Sequence, residues 1–116
     1  MKLVYVVEDD ILLAQHMKRL LKDYEVRVFN NSVEAMAAID NKLPDCIVLD
    51  LMLDGPSGFA LLNELQSYTD TAKVPVIVCS NLANELQGQL QDYSIHKVVD
   101  KTTMGVDDLR WAIDEL

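Results

Sequence analysis

The chain has 116 residues, half of them hydrophobic, with 19 acidic against 10 basic side chains and a formal charge of -9. That length suits a single domain, residues 1–116, with its own core, and the composition argues against a disordered or disulfide-stapled chain. The acid excess argues against direct binding to nucleic acid phosphates or anionic membranes, and favours divalent cations and basic partner surfaces.

An apolar run from Leu3 to Val7 opens the chain and breaks off at Glu8-Asp9. It is too short for a signal-peptide core of roughly 7 to 15 residues, and no other run approaches the roughly 18 of a membrane span. The run predicts a strand. Leu13, Met17, Leu20, Leu21 and Tyr24 then fall on one face of a helix that Asp10 is placed to cap. A second strand is predicted over Glu25 to Phe29, and a helix carrying Val33, Met36, Ala37 and Ile39 follows, with Ser32 as its cap and Pro44 beyond its end.

The third strand runs from Cys46 to Asp50, after which Asp54-Gly55-Pro56-Ser57-Gly58 forms a turn cluster. Phe59, Leu61, Leu62 and Leu65 mark the next helix, and Val76 to Ser80 the fourth strand. Leu82, Leu86, Leu90 and Tyr93 form a narrow stripe interrupted by Gly88, a weakly specified fourth helix. Lys97 to Asp100 is the fifth strand, and Leu109, Ala112, Ile113 and Leu116 line the last helix. Trp111 falls off that stripe, either exposed as an interface aromatic or folded against the fifth strand. Continuous rather than alternating apolar runs indicate strands covered on both faces. Five strands alternating with five helices therefore predict a doubly wound (βα)5 sandwich with a parallel five-stranded sheet.

Glu8, Asp9, Asp50, Ser80 and Lys101 all stand at or just beyond strand ends. In open α/β sheets the carboxyl edge is where ligands bind, and in the flavodoxin-like order 2-1-3-4-5 the first and third strands flank the switch point. The doublet Glu8-Asp9 alone also suits a helix cap, and Lys101 alone a solvated strand end. Taken together they favour a shared site. Three converging carboxylates repel one another, and an all-oxygen set of this kind suits a hard cation such as Mg²⁺, which takes one or two carboxylates and keeps room for a phosphate oxygen. Cys46 and Cys79, 33 residues apart inside strands, lack ligand spacing and read as buried thiols of a reducing, cytoplasmic compartment. His16 and His96 have no partner at ligand spacing either.

The VVED start, Asp50 closing a CIVLD strand, Gly58 eight residues on, Ser80 thirty residues after Asp50 and Lys101 closing the fifth strand are jointly similar to one family: the CheY-like receiver domains of two-component response regulators. The resemblance implies that Asp50 accepts a phosphoryl group from a phosphohistidine on a sensor histidine kinase or phosphotransfer protein. It implies that Asp9, Asp50 and the Met52 carbonyl ligate Mg²⁺, with Glu8 acting mainly through water. Lys101 and Ser80 would then contact phosphoryl oxygens, and Ser80 would move the loop before the fourth helix. The domain would be a signalling phosphoacceptor that promotes its own phosphorylation and dephosphorylation, not an enzyme on a separate substrate. Its partners would be the kinase, an output domain or protein read through the fourth and last helices, and a second copy if phosphorylation drives dimers. Ile11 and Leu12, beside the acids, suit either kinase contact or partial burial.

Four positions depart from the family. Thr102 follows Lys101 where Pro is usual and joined by a cis bond. A cis bond to Thr costs roughly 2.5 to 4 kcal/mol against 0.5 to 1 for Pro, so a trans bond or a strained cis bond is expected there. Val98 stands where an aromatic switch residue is common, which shifts output toward the fourth helix. Asn81 is larger than the usual Ala or Gly and is expected to narrow the water path to an acyl phosphate. Asp54 replaces a common Pro. The rival readings are a degenerate receiver serving as a constitutive interaction module, and a flavodoxin-like nucleotide binder, for which no GxGxxG or GxxxxGK[ST] fingerprint is found. The sequence leaves open whether the receiver is free-standing or part of a longer regulator.

Overall fold

The computed structural model describes residues 1–51, 58–81, 88, 90–91, 93–105 and 107–116. Strands β1 (Leu3–Val7), β2 (Glu25–Phe29), β3 (Cys46–Leu49), β4 (Val76–Ser80) and β5 (Lys97–Asp100) form one sheet. All four neighbouring pairs are parallel, in the order β2-β1-β3-β4-β5. The described helices are α1 (Ile11–Leu20), α2 (Ser32–Asn41), α3 (Gly58–Ser67) and α4 (Asp108–Asp114), with a 3₁₀ turn at Thr71–Lys73. The expected helix between β4 and β5 falls mainly outside the described residues.

Alternation along the strands divides the interior in two, because successive side chains leave a strand on opposite faces. Tyr5, Val7, Ile47, Leu49, Val76 and Val78 pack with Met36 and Ile39 of α2 and Leu61, Leu62 and Leu65 of α3. Val4, Val6, Cys46, Val48, Ile77 and Cys79 pack on the other face with Met17 and Leu21 and with Leu109, Ala112 and Ile113 of α4. This double coverage is why β1, β3 and β4 read as unbroken apolar runs. The edge strand β2 is only partly buried, with Glu25 and Arg27 exposed. Charged side chains there discourage pairing with another chain.

Several expectations need correction. Asp10 caps α1 as expected, accepting from the Leu13 amide at 3.1 Å. The cap of α2 is Asn31, which accepts from the Glu34 amide at 2.9 Å, whereas Ser32 is already helical and buried. The buried side chains of the α1 stripe are Ala14, Met17 and Leu21, while Leu13 and Leu20 stand at its margin and Tyr24 lies beyond the helix. A helix that ends at Leu20 cannot carry its stripe on to residue 24, and the Tyr24 hydroxyl instead donates to Asp114 at the end of α4. Leu116 is exposed past the end of α4, so it does not extend that stripe. Asp50 stands one residue beyond β3.

Both cysteines are fully buried, and loss of solvation pushes each thiol up to about 12. Since the thiolate is the reactive form, the native protein at pH 8 is expected to leave a thiol-reactive disulfide reagent untouched. Two equivalents should titrate after addition of denaturant. Reaction of either thiol in the folded protein at the unfolded rate would contradict this placement.

Candidate functional site

The sheet hydrogen bonding continues one residue past three strand ends, and this fixes the site. Glu8 donates its amide to Phe29 at 3.0 Å, Asp50 to Val7 at 3.0 Å, and Lys101 to Ser80 at 3.1 Å. Each acceptor is the last residue of a neighbouring strand. The first residue after β1, β3 and β5 is therefore held in register with the sheet, and its side chain is delivered to the same carboxyl edge.

There Glu8, Asp9 and Asp50 each place a carboxylate oxygen so that all three lie within 4.8 Å of one another. Glu8 is 1% exposed and Asp50 6%, while Asp9 is half-buried. The Lys101 ammonium donates to Asp50 Oδ2 at 2.9 Å and to Glu8 Oε1, with 8% of its side chain exposed. Glu8 Oε2 also accepts from the Asp10 amide at 3.2 Å. Sequence reasoning put Lys101 in the site but did not foresee that it spans two carboxylates, 93 and 51 residues away along the chain.

The electrostatics follow from this burial. Desolvation pushes the Glu8 carboxyl up to about 7; the hydrogen bond and charge of Lys101 oppose it, and the nearby Asp50 charge adds to it. Burial pulls the Lys101 ammonium down, but its bonds to Glu8 and Asp50 and their charges outweigh that, and it ends above the usual lysine value. Lys101 therefore remains an ammonium, shared between Glu8 and Asp50. The cluster has more acid than its one lysine can balance, and its donors are all hard oxygens. Such a set fits a divalent cation of the Mg²⁺ type.

Ser80 is fully buried at the end of β4, beside Asp100 in the register with β5. Met52 and Asp54 lie outside the described residues. His16 is exposed, and His96 faces Glu115 at 3.4 Å, away from the acids. Ile11 and Leu12 are strongly exposed beside the acidic edge, and Trp111 is exposed on α4. Val98 is half-buried and, like Tyr93 and Ile95, packs against the core on the α2 and α3 face of the sheet.

Gly58 has a role that the sequence did not reveal. A Cβ at this first residue of α3 would stand 2.5 Å from the Asp50 carbonyl oxygen and 2.5 Å from Leu51 Cα. The helix thus starts against the backbone that carries Asp50, and the Gly58 amide donates to the Leu51 carbonyl at 3.2 Å. Only a residue without a side chain permits that approach.

The family model for the response regulator receiver domain matches residues 4–114. The chain belongs to this family. Among curated relatives, a protein-glutamate methylesterase/protein-glutamine glutaminase from Rhodospirillum rubrum is 32% identical over 82 residues, 68% of this chain and 21% of that protein. A phosphate regulon transcriptional regulatory protein from Rhizobium meliloti is 31% identical over 84 residues, 71% of this chain and 37% of that one. The receiver chain thus matches a fifth to somewhat over a third of these relatives' lengths. Among solved structures, a CheY-like receiver domain from Methylobacillus flagellatus superposes with a TM-score of 0.86 at 20% identity, covering 99% of this chain and 98% of that one. The receiver domain of a sensor histidine kinase from Pseudomonas aeruginosa, with a magnesium ion coordinated in its active site cleft, gives 0.85 at 19% identity, covering 98% and 95%. These structures share the flavodoxin-like fold of this receiver. Among the described residues no helix is long and apolar enough to cross a membrane.

Proposed function

We propose that this receiver is a phosphorylation switch whose acceptor is Asp50, charged by a phosphohistidine on a sensor histidine kinase or phosphotransfer protein. The observation that carries the reading is the Lys101 ammonium at 2.9 Å from Asp50 within a cluster of three convergent carboxylates. An Asp50 oxygen attacks phosphorus, the P–N bond to the imidazole breaks, and the leaving imidazole nitrogen keeps the electron pair and takes a proton. The new bond is an acyl phosphate. Lys101 is placed to move its ammonium from carboxylate toward a phosphoryl oxygen, and the Ser80 hydroxyl is the donor for another.

Asp9 and Asp50 would hold Mg²⁺ directly together with the Met52 carbonyl, and Glu8 would act through water. When bound, the ion supplies charge that offsets the phosphoryl oxygens and orients them. The magnesium-bearing kinase receiver from Pseudomonas aeruginosa supports this assignment by its shared fold. Output would pass from Ser80 to the surface between β4 and the last helix, where Trp111 is exposed beside β5, and to a downstream domain or protein, with a phosphorylation-dependent homodimer as one form. A cytoplasmic location accords with the buried free thiols.

The test is incubation with a small phosphodonor and Mg²⁺, read by intact mass. The reading predicts a gain of one phosphoryl group that requires Mg²⁺ and is absent in Asp50→Asn. No gain would leave a constitutive interaction module as the better description. Asn81, exposed next to Ser80, is expected to slow hydrolysis of the acyl phosphate, so Asn81→Ala should lose the phosphoryl group faster. An unchanged lifetime would remove that role.

A further inference from the structure

We infer that Asp100 and Thr102 are positioning residues that hold Lys101 on the acidic site through a turn bonded side chain to backbone. The inference rests on the proposed role of Lys101. Asp100 Oδ1 accepts from the Thr102 amide at 2.8 Å and from the Thr102 hydroxyl at 2.6 Å. The Asp100 carbonyl accepts from the Thr103 amide at 3.3 Å, and the Lys101 amide donates to Ser80 at 3.1 Å. Lys101 is thus bracketed on both sides: its own N–H is tied to β4, and its two flanking residues are tied to each other across it.

This clamp lies where β5 ends and the chain would otherwise be free to turn either way. Lys101 must pass from an exposed turn into a nearly dry cluster, and its long side chain has many rotamers to lose when its head is fixed. Closing the backbone around it removes part of that freedom before the ammonium is engaged. The arrangement is local to this sequence: Thr102 supplies an N–H and a hydroxyl to one carboxylate oxygen, and a proline there could supply neither. The Asp100 carboxyl shows the same contacts electrostatically, since the Thr102 hydroxyl first and its amide second hold it below its ordinary range. Thr102 is exposed and Asp100 half-buried, and neither belongs to the apolar core, so their substitution leaves the core packing intact.

Two measurements test the clamp, one of which needs neither donor nor metal. In the protein alone, acetylation of Lys101 by a small amine-reactive ester is followed by peptide mapping, with the half-exposed Lys97 as internal reference. Losing a hydrogen bond of ordinary strength corresponds to about fivefold in the population of the engaged state. Asp100→Ala and Thr102→Val are therefore expected to raise the Lys101-to-Lys97 labelling ratio about fivefold, and Thr102→Ser, which keeps the hydroxyl, to restore it. An unchanged ratio in both variants overturns the inference.

With a small phosphodonor and Mg²⁺, the same variants should lower the maximal phosphorylation rate, with Thr102→Ser rescuing it. Thr102→Val should add nothing in a Lys101→Ala background. An equal further drop in that background would show a role independent of Lys101 and would also overturn the inference. A wild-type protein that takes up no phosphoryl group, yet shows the labelling changes, would refute the phosphoacceptor reading while leaving the clamp standing.

Discussion

Gly58→Ala is expected to destabilise the protein by about 2 kcal/mol, and Gly58→Val by more, through the overpacking that a rigid neighbour imposes. The added Cβ would meet the Asp50 carbonyl oxygen and Leu51 Cα at 2.5 Å each, with the Asp50 carbonyl carbon at 3.2 Å. All three are backbone atoms, so no rotamer change relieves the contact. Either α3 moves off the end of β3, which strains the packing of Leu61, Leu62 and Leu65 against the sheet, or the segment carrying Asp50 shifts. The second route also moves the acceptor carboxylate away from Lys101. Denaturant unfolding reads the first effect, and phosphorylation of the variant under conditions where it is folded reads the second. An alanine variant within 0.5 kcal/mol of wild type would mean that the close approach carries no constraint.

Lys101→Met is the second large effect, and its size should depend on pH. Removing one partner of a buried ion pair commonly costs roughly 3 to 5 kcal/mol when the remaining charge has no other compensation. Here Glu8 can take up a proton instead, which lowers the cost. Glu8 already titrates at about 7 in the folded protein against an ordinary 4.5, and Lys101 is the group holding it down. A carboxyl whose folded value is raised favours the fold fully below its unfolded value, and that advantage is lost as pH rises through the folded value. In the variant the folded value climbs further, so the deficit relative to wild type should be small near pH 5 and largest above pH 7. Loss of one positive charge should also tighten Mg²⁺ binding, so that added Mg²⁺ raises the unfolding midpoint more in the variant than in wild type. Phosphorylation should nevertheless fall. A deficit of equal size at pH 5 and pH 8 would contradict the charge account.

The sheet was legible because its physics is written locally. Runs such as Leu3 to Val7 and Val76 to Ser80 are apolar on both faces, which only strands covered by helices on each side require, and their ends coincide with the observed strands. The strand-end acids were legible for the same reason: a polar residue after a buried run must sit at the sheet edge. Helix margins were less so. Asn31 and Ser32 are both good caps by type, and which one caps depends on where the backbone leaves β2, with Asn31 extended and Ser32 already helical.

The finer features of the site depend on contacts between distant segments. Whether Lys101 meets Asp50, Glu8 or both is decided by β5 lying next to β4, and by β4 lying next to β3. The need for glycine at position 58 arises from the Asp50 carbonyl, eight residues back along the chain, and nothing in the local sequence encodes that close approach. The Asp100 and Thr102 turn is different: an Asp two residues before a Thr at a strand end is a local turn signature that sequence reasoning could have found.

The most direct test of the account is to locate the phosphoryl group. After charging with a small phosphodonor and Mg²⁺, borohydride reduction converts an acyl phosphate to an alcohol, and peptide sequencing by mass spectrometry identifies the reduced residue. Homoserine is expected at position 50 and at no other site. Reduction at Asp9, stable phosphate on Ser80, or an unmodified Asp50 in charged protein would contradict it.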